Sequence, residues 1–242
     1  ILVTGGAGFI GGTFIRRLLK KSNVKIFNLD KLSYASNLTG ITNLIKEIDL
    51  NEDLRYEFFN IDLLDKDSLE KVFQIAKPDL IIHMAAESHV DRSINNPKIF
   101  IESNIVGTFN LLEISRSFFY KLPDEKKSIF KFIHVSTDEV FGSLGLKGSF
   151  SESSKYDPRS PYSASKASSD HLVNAWFHTY GLPVITTNCS NNFGPWQFPE
   201  KLIPLVINKA LKDENIPIYG DGMNIRDWLF VEDHIDALIL II

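Results

Sequence analysis

Short apolar runs alternate along this chain with longer stretches in which apolar residues return every three or four positions. The near-continuous apolar runs at 1–4, 24–29, 56–60, 80–84, 130–136 and 184–188 predict parallel strands buried on both faces. Helices are predicted near 9–20, 38–48, 66–76, 98–120, 161–180 and 200–212. In the fourth of these, Ile101, Ile105, Phe109 and Leu112 fall at steps of four, four and three, a spacing that puts them on one stripe. Strand–helix alternation of this kind predicts an α/β fold with a doubly wound parallel sheet. Glycine, proline and serine cluster at 142–161, which predicts a long surface loop beside a site. Beyond Asn191 the alternation fades, and Pro195, Pro199, Pro204 and Pro217 mark a different organisation.

Composition changes this picture little. A 242-residue chain with 44% hydrophobic and 23% charged residues can bury one sizeable core. The net charge of −4 and pI near 5.9 give no support to nucleic acid or an anionic membrane as a partner. The longest apolar run, 237–242, falls far short of the roughly 18 residues that a membrane span needs. Cys189 is the single cysteine, which excludes an intramolecular disulfide and a cysteine zinc site; no metal is expected, and a reducing cytoplasm fits best. The first residues already read as a strand entering a glycine turn, not as a signal peptide. A start without Met and an end without a capping signal read as a piece of a longer protein.

Gly5, Gly8 and Gly11 stand at G-x-x-G-x-x-G spacing between the first predicted strand and helix. Such glycines permit a tight turn and close backbone approach to a pyrophosphate seated on the helix N-terminus. A glycine turn without a ligand has the same look. Two features favour the ligand. Asp30 ends the second strand, where a carboxylate would accept from a ribose 2′-OH and repel a 2′-phosphate; this points to NAD over NADP, although Lys31 follows directly. Asp62, Ala85 and Ala86 also fall at strand C-terminal ends. A Rossmann-type dinucleotide domain over 1–190 is expected, with 191–242 beginning a substrate-binding portion whose remainder is missing.

Among seven tyrosines only Tyr162 has a lysine four residues later, Lys166, so a helix would put both on one face. An ammonium close to a phenol lowers its pKa and suits it to take a proton from a sugar hydroxyl; a surface tyrosine with a solvated lysine is the plainer alternative. With the strand that ends at Ser136 and Thr137, the Tyr-x-x-x-Lys spacing resembles the hydroxyl-to-carbonyl apparatus of short-chain dehydrogenases. Asp138 and Glu139 follow at once. If the chain leaves the strand conformation there, both can face one cavity and divide the roles of acid and base; otherwise they are an acidic loop or a helix-start charge pair.

The strings TGGAGFIG, DKLSYASN, HMAAESHVDRSI, ESNIVGT, STDEVFG, SPYSASKASSDHLV, NCSNNFGPWQFPEKLIPLVI and PIYGDGMNIRDWLFVEDH together resemble the dTDP-glucose 4,6-dehydratases of the extended short-chain dehydrogenase group. They cover nearly the whole chain, and AAESHVDRS and STDEVFG are far more specific than the glycine motif. The resemblance implies an NAD-dependent lyase acting on a nucleotide sugar, dTDP-glucose, to give the 4-keto-6-deoxy sugar and water. Tyr162, with Lys166 and Thr137, would take the C4 hydroxyl proton as hydride leaves C4. Glu139 would remove the C5 proton while Asp138 protonates the departing C6 hydroxyl, and hydride returns to C6.

By similarity, Phe9, Ile10, Asp30, Lys31, Leu32, Ser33, Asp62 and Leu63 should line the NAD site. So should Met84, Ala85, Ala86, Glu87, Ser88, Ser103, Tyr162, Lys166 and Asn191. Ser88, Thr137, Asn192, Lys201, Leu202, Pro217, Ile218, Tyr219 and Arg226 should meet the nucleotide sugar, with Lys201 and Arg226 suited by charge to its diphosphate. His89, Asp91 and Arg92 sit beside the site in the resemblance, Asp91 and Arg92 with a structural ion pair as their plainer role. Cys189, His83 and His134 read as core residues, and Trp176, Phe177, Phe118, Phe119 and Tyr120 as core or interface aromatics. A homodimer is implied by similarity alone. A nucleotide-sugar 4-epimerase, a dehydratase for GDP, CDP or UDP sugars, and a catalytically silent NAD binder remain as rivals.

Overall fold

The computed structural model describes residues 1–48, 55–145, 147–218 and 220–242; Tyr219, expected at the substrate, lies outside them. Strands β1 (Leu2–Thr4), β2 (Ile26–Asp30), β3 (Tyr56–Asn60), β4 (Leu80–His83), β5 (Lys131–Thr137) and β6 (Val184–Cys189) form one sheet. Its order is β3-β2-β1-β4-β5-β6, and every pairing is parallel. The chain order reverses between β1 and β4, so a crevice opens at the carboxyl ends of those strands.

The helices are α1 (Phe9–Lys21), α2 (Thr39–Glu47), α3 (Lys66–Ala76), α4 (Val90–Asn95), α5 (Pro97–Phe100), α6 (Gly107–Lys121), α7 (Asp124–Lys127), α8 (Pro161–Tyr180), α9 (Leu202–Leu211) and α10 (Val231–Ile241). Strand residues alternate between two cores because successive side chains leave opposite faces. Leu2, Phe27 and Phe132 join Leu69, Phe73, Leu111 and Trp176 on one side of the sheet. Val3, Ile26 and Ile133 join Ile15, Ile41, Leu44 and Ile235 on the other. The sheet is thus covered on both faces: the inner strands β1, β2, β4 and β5 are buried almost throughout, whereas the edge strands β3 and β6 are only partly buried and carry polar residues.

Helix α8 owes its sharp limits to the sequence around it. Ser160 caps it in a reciprocal box with Ser163, Pro161 occupies the first turn, and Gly181 ends it at φ 68°. The single helix expected over 98–120 is instead α5, a π-helical segment Ile101–Val106, and α6. The wider turn shifts the helix phase, so the predicted stripe does not face inward as a unit: Ile101 is 51% exposed. Leu112 of the stripe is fully buried and Phe109 packs on the core, and Asn104, Thr108, Leu111 and Ser115 share the buried face.

Two short strands, β7 (Asn191–Phe193) and β8 (Trp228–Phe230), pair in parallel as a second sheet. The apolar run 237–242 lies largely within α10, whose Asp236 takes both of its bonds from Arg17 of α1. Neither β7, β8 nor α10 stood out from the sequence pattern. Within the 142–161 segment, Phe150 and Tyr156 pack on Phe141, with ring centroids 5.4 Å away in each case. Among the described residues no helix is long and apolar enough to cross a membrane.

Candidate functional site

The glycine turn after β1 is built against the backbone of the neighbouring strand. Gly5 has φ +75°, and a Cβ there would fall 2.5 Å from the Ala85 nitrogen. A Cβ on Gly11 would fall 2.3 Å from the Gly5 oxygen. Gly8 caps α1 without a side-chain bond, and no acid stands in the first turn that Phe9 and Ile10 begin. Its amides and positive dipole end therefore suit an anionic pyrophosphate.

Asp30 holds the adjoining loop. Its Oδ2 accepts from the Ala7 amide at 3.0 Å, and its Oδ1 accepts from the Leu32 amide at 2.8 Å and the Ser36 hydroxyl at 3.0 Å. These bonds hold Leu32 at φ 54°. A carboxylate offers about four lone-pair positions, so three internal donors leave room for a ribose hydroxyl. Lys31 reaches across the crevice: Nζ donates to Ser103 Oγ at 2.7 Å and pairs with Glu87 at 3.3 Å and Asp62 at 3.8 Å. Four residues expected at the cofactor, from four parts of the chain, thereby meet. Leu63 belongs to the same wall, its carbonyl accepting from Asn110 Nδ2 at 2.9 Å.

The π-helical segment is tied into this wall through Asn104. Its Oδ1 accepts from the Glu87 amide at 2.8 Å, and its Nδ2 donates to the Glu87 carbonyl at 3.0 Å and to Ser165 Oγ at 2.8 Å. A second chain of bonds runs beneath. Thr108 donates to the Asn104 carbonyl at 2.6 Å, so its oxygen must accept from His83 Nε2, 2.9 Å away. His83 Nδ1 then accepts from the Thr4 hydroxyl at 2.7 Å. Burial, with the positive charge of Lys166 among the smaller causes, holds His83 neutral well below its ordinary pKa.

At the end of β5, Thr137 caps a 3₁₀ turn, Asp138–Phe141. The chain thus leaves the strand conformation at Asp138, and the two acids share one environment with Tyr162. Burial first, then Asp138, raises the Glu139 carboxyl, while Lys201 and Arg226 draw it back. Burial raises Asp138 as well. The lowered phenol pKa expected for Tyr162 is not found. Burial, then the charge of Glu139, pushes the phenol well above its ordinary range, and only a hydrogen bond with Thr137 acts the other way. Lys166 does not figure among the influences on the phenol; its ammonium donates to the Val135 carbonyl at 3.0 Å, anchored to β5. Thr137 has one hydroxyl proton, also within 3.3 Å of Asp138 Oδ1, so it can serve the phenol or the acid but not both.

Among the residues expected at the substrate, Lys201 Nζ donates to the Ser88 carbonyl at 3.0 Å. Burial lowers its pKa, opposed by Glu200, Glu139 and Asp91. Arg92 pairs with Glu200 at 3.1 Å, not with Asp91, and stacks 3.6 Å from the Tyr34 ring centre. His89 Nε2 is 3.8 Å from Glu200. A cavity of about 370 Å³ opens beside this cluster, lined by Tyr34, Glu87, Arg92 and Phe100 among others. Asn192 is occupied internally: Oδ1 meets His234 Nδ1 at 2.9 Å, and Nδ2 donates to the Ser190 carbonyl at 2.9 Å. Leu202, Pro217 and Ile218 lie on exposed surface, and Asn191 starts β7 opposite Trp228. Arg226 is exposed and donates to its neighbour Ile225, though its charge reaches Glu139. Cys189 is half-buried, its thiol pushed up by burial to about 11, which fits an unreactive filler.

The sequence reading missed one cluster. His134 is buried as expected of a core residue, but Asp170 did not stand out in the sequence, and His134 Nε2 lies 3.1 Å from Asp170 Oδ1. Ser136 and Tyr156 donate to Asp170 Oδ2 at 2.8 and 3.1 Å. The available signal was Asp170 standing one helical turn beyond Lys166. Among the described residues no group of three or more histidine, cysteine, aspartate or glutamate side chains is placed to hold a metal.

A doubly wound sheet with its glycine turn at the switch point, and a Tyr-x-x-x-Lys pair on the helix beside β5, defines a chain of the extended short-chain dehydrogenase type. The profile of the family described as GDP-mannose 4,6 dehydratase matches residues 2–242. A dTDP-glucose 4,6-dehydratase of Neisseria meningitidis serogroup B is 55% identical over 98% of this chain and 66% of its own. One from Salmonella typhimurium is 52% identical over 100% of this chain and 68% of its own. The crystal structure of the dTDP-glucose 4,6-dehydratase DesIV from Streptomyces venezuelae, with NAD bound, superposes with a TM-score of 0.87 at 42% identity. It is matched over 99% of this chain and 70% of that one. A UDP-glucuronic acid 4-epimerase from Bacillus cereus, in complex with UDP-glucuronic acid and NAD, gives 0.83 at 31%, over 98% and 71% of the two chains. The chain belongs to the dTDP-glucose 4,6-dehydratase family and spans about two thirds of the length of the curated relatives it matches.

Proposed function

We propose that the whole protein converts dTDP-glucose to dTDP-4-keto-6-deoxyglucose and water, an NAD-dependent hydro-lyase reaction that supplies deoxysugar precursors such as that of rhamnose. One observation carries the reading. The charges of Glu139 and Asp138 both act on Tyr162, Asp138 acts on Glu139, and Lys201 and Arg226 oppose it on the same glutamate, which supports base, acid and diphosphate partners in one crevice.

NAD suits the residues present. The Gly5 and Gly11 approaches leave no space for a Cβ, Asp30 has acceptor capacity left, and the start of α1 is uncapped. Gly5, Gly8, Gly11, Asp30 to Ser33, Asp62, Leu63 and Met84 to Ser88 would hold it, with Ser103, Lys166 and Asn191 completing the wall. When bound, it supplies the acceptor and later the donor of one hydride. Tyr162 takes the C4 hydroxyl proton, with Thr137 stabilising the phenolate. Burial and Glu139 raise the phenol, so positive charge in the crevice would favour this step. Glu139 takes the proton at C5, made acidic by the 4-keto group, and Asp138 donates to the C6 oxygen that leaves as water. Burial raises both carboxyls, the direction that a proton donor needs at Asp138.

Similarity further supports a homodimer through α6 and α8, whose Tyr120 and Phe177 are about half exposed, and a cytoplasmic enzyme. Full-length protein given dTDP-glucose without added reductant should form the 4-keto sugar, read by its absorbance in alkali. dTDP-galactose as product would establish an epimerase, and conversion of GDP, CDP or UDP sugars instead would move the nucleotide. Inertness toward all of them would leave a silent NAD binder. Glu139→Gln should block elimination more than C4 oxidation; equal loss of both would remove its assigned role.

A further inference from the structure

We propose that Asp170 is the buried counter-charge of Lys166, a positioning residue that keeps the ammonium protonated at the site where Tyr162 works. Lys166 is 4% exposed and Asp170 3%, one helical turn apart on α8. An ammonium taken from water without a compensating charge is very costly, so the question is what balances it. The Val135 carbonyl that accepts from Lys166 brings no net charge.

The partners of Asp170 leave its charge free for that purpose. From β5, His134 donates to Oδ1, and burial holds the imidazole neutral with a pKa of about 4. Ser136, from the same strand, is neutral. From the loop before α8, the Tyr156 phenol is pushed up by burial and by Asp170 itself, so it keeps its proton. From β4, His83 is neutral for the reasons given above. From β6, the Cys189 thiol is held un-ionised by burial. Three uncharged donors fix both carboxylate oxygens without cancelling the charge. Burial alone would raise the Asp170 carboxyl, yet His134, Lys166 and Ser136 together bring it below its ordinary value. Lys166 shows the reciprocal effect: burial lowers its pKa, and Asp170 leads the opposing influences. Lys166 and Asp170 are thus two opposite charges buried one helical turn apart, one tied to β5 through Val135 and the other through His134 and Ser136.

The effect on turnover rests on the dehydratase reading, but the charge coupling does not, and two readouts separate them. In full-length protein labelled with [13Cε]lysine, the Lys166 resonance should titrate at least about one pH unit lower in Asp170→Asn than in the wild type. In Asp170→Glu it should stay near the wild-type position. The alkaline limb of kcat/KM with dTDP-glucose should move down with it in the Asn variant. An unmoved Lys166 titration overturns the proposal, as does a fall in kcat with an unmoved pH profile, which is what a merely structural role would give. If Asp170→Asn does not fold, Lys166→Met provides the reciprocal test. Without the ammonium, the Asp170 13Cγ resonance should titrate at higher pH, and no change would again overturn the proposal. Protein inactive on every nucleotide sugar would sink the functional reading, while the NMR titrations would still decide this one.

Discussion

Tyr34 Oη donates a 2.7 Å hydrogen bond to Glu200 Oε1, joining positions 166 apart in sequence. Tyr34 belongs to the loop shaped by Asp30, and Glu200 immediately precedes Lys201, so the bond fastens the proposed cofactor loop to the proposed substrate segment. Arg92 reinforces it from both sides, stacked on the ring and paired with the carboxylate. Replacing Tyr34 with Phe keeps the ring and removes the bond. A loss of about 1 kcal/mol corresponds to roughly fivefold weaker NAD binding, measurable by calorimetric titration. NAD affinity unchanged within about twofold would show that the fastening has no bearing on the cofactor.

The acid Glu139 should weaken the fold that it serves. Its folded pKa is raised above the ordinary 4.5, so the native state binds the proton more tightly than the unfolded chain. Stability therefore falls as pH climbs from about 4.5 through the raised value, and the deficit persists above it. Glu139→Gln should raise Tm at pH 8 by about 2 °C with little change at pH 4, while turnover collapses. Calorimetry showing a lower Tm at pH 8 would contradict this.

Buried histidines set the opposite slope. His134 and His234 are depressed to about 4 by burial, and His83 lies well below 6.5. Between about 6.5 and 4 the unfolded chain binds more protons, so the stability these groups contribute is present above 6.5 and lost as pH falls. The loss is on the order of 1–2 kcal/mol per histidine at pH 5. Because Glu139 and Asp138 act oppositely over part of this range, the comparison of wild type with His234→Gln isolates the effect. Urea unfolding should show a smaller drop from pH 7 to 5 in the variant; identical drops would refute it.

Two adjacent glycines should respond differently to alanine. Helix propensity favours alanine at both by about 1 kcal/mol. At Gly11 the new Cβ meets the Gly5 oxygen at 2.3 Å, whereas at Gly12 the nearest atom is the far end of the Arg16 side chain at 3.2 Å. Gly11→Ala should lose about 2–4 kcal/mol and its NAD binding; Gly12→Ala should keep both. Denaturant titration and NAD binding of the pair would settle it, and equal behaviour would show that the turn yields more easily than its packing implies.

The sheet was legible because its inner strands are largely apolar on both faces, a pattern that depends only on local sequence. The glycine turn and the Tyr162–Lys166 spacing were legible for the same reason. Contacts between distant parts of the chain were not: Arg92 was matched with its neighbour Asp91, but Glu200 holds it. The phenol of Tyr162 was expected low on spacing alone, yet Lys166 is drawn to Val135, a partner that appears only when α8 packs on β5. His134 and Asp170 carry no local mark of their bond. Strands β7 and β8 are three residues each, too short for a periodicity to register.

The π-helical segment at Ile101–Val106 has a bearing on how this chain is compared with others. A relative whose helix ran regularly there would be one residue shorter while keeping both flanking strands in place. Aligning the two without a gap at that turn would set Asn104 or Thr108 against residues that face solvent. Apparent divergence in that stretch would then reflect misplaced correspondence, not relaxed selection.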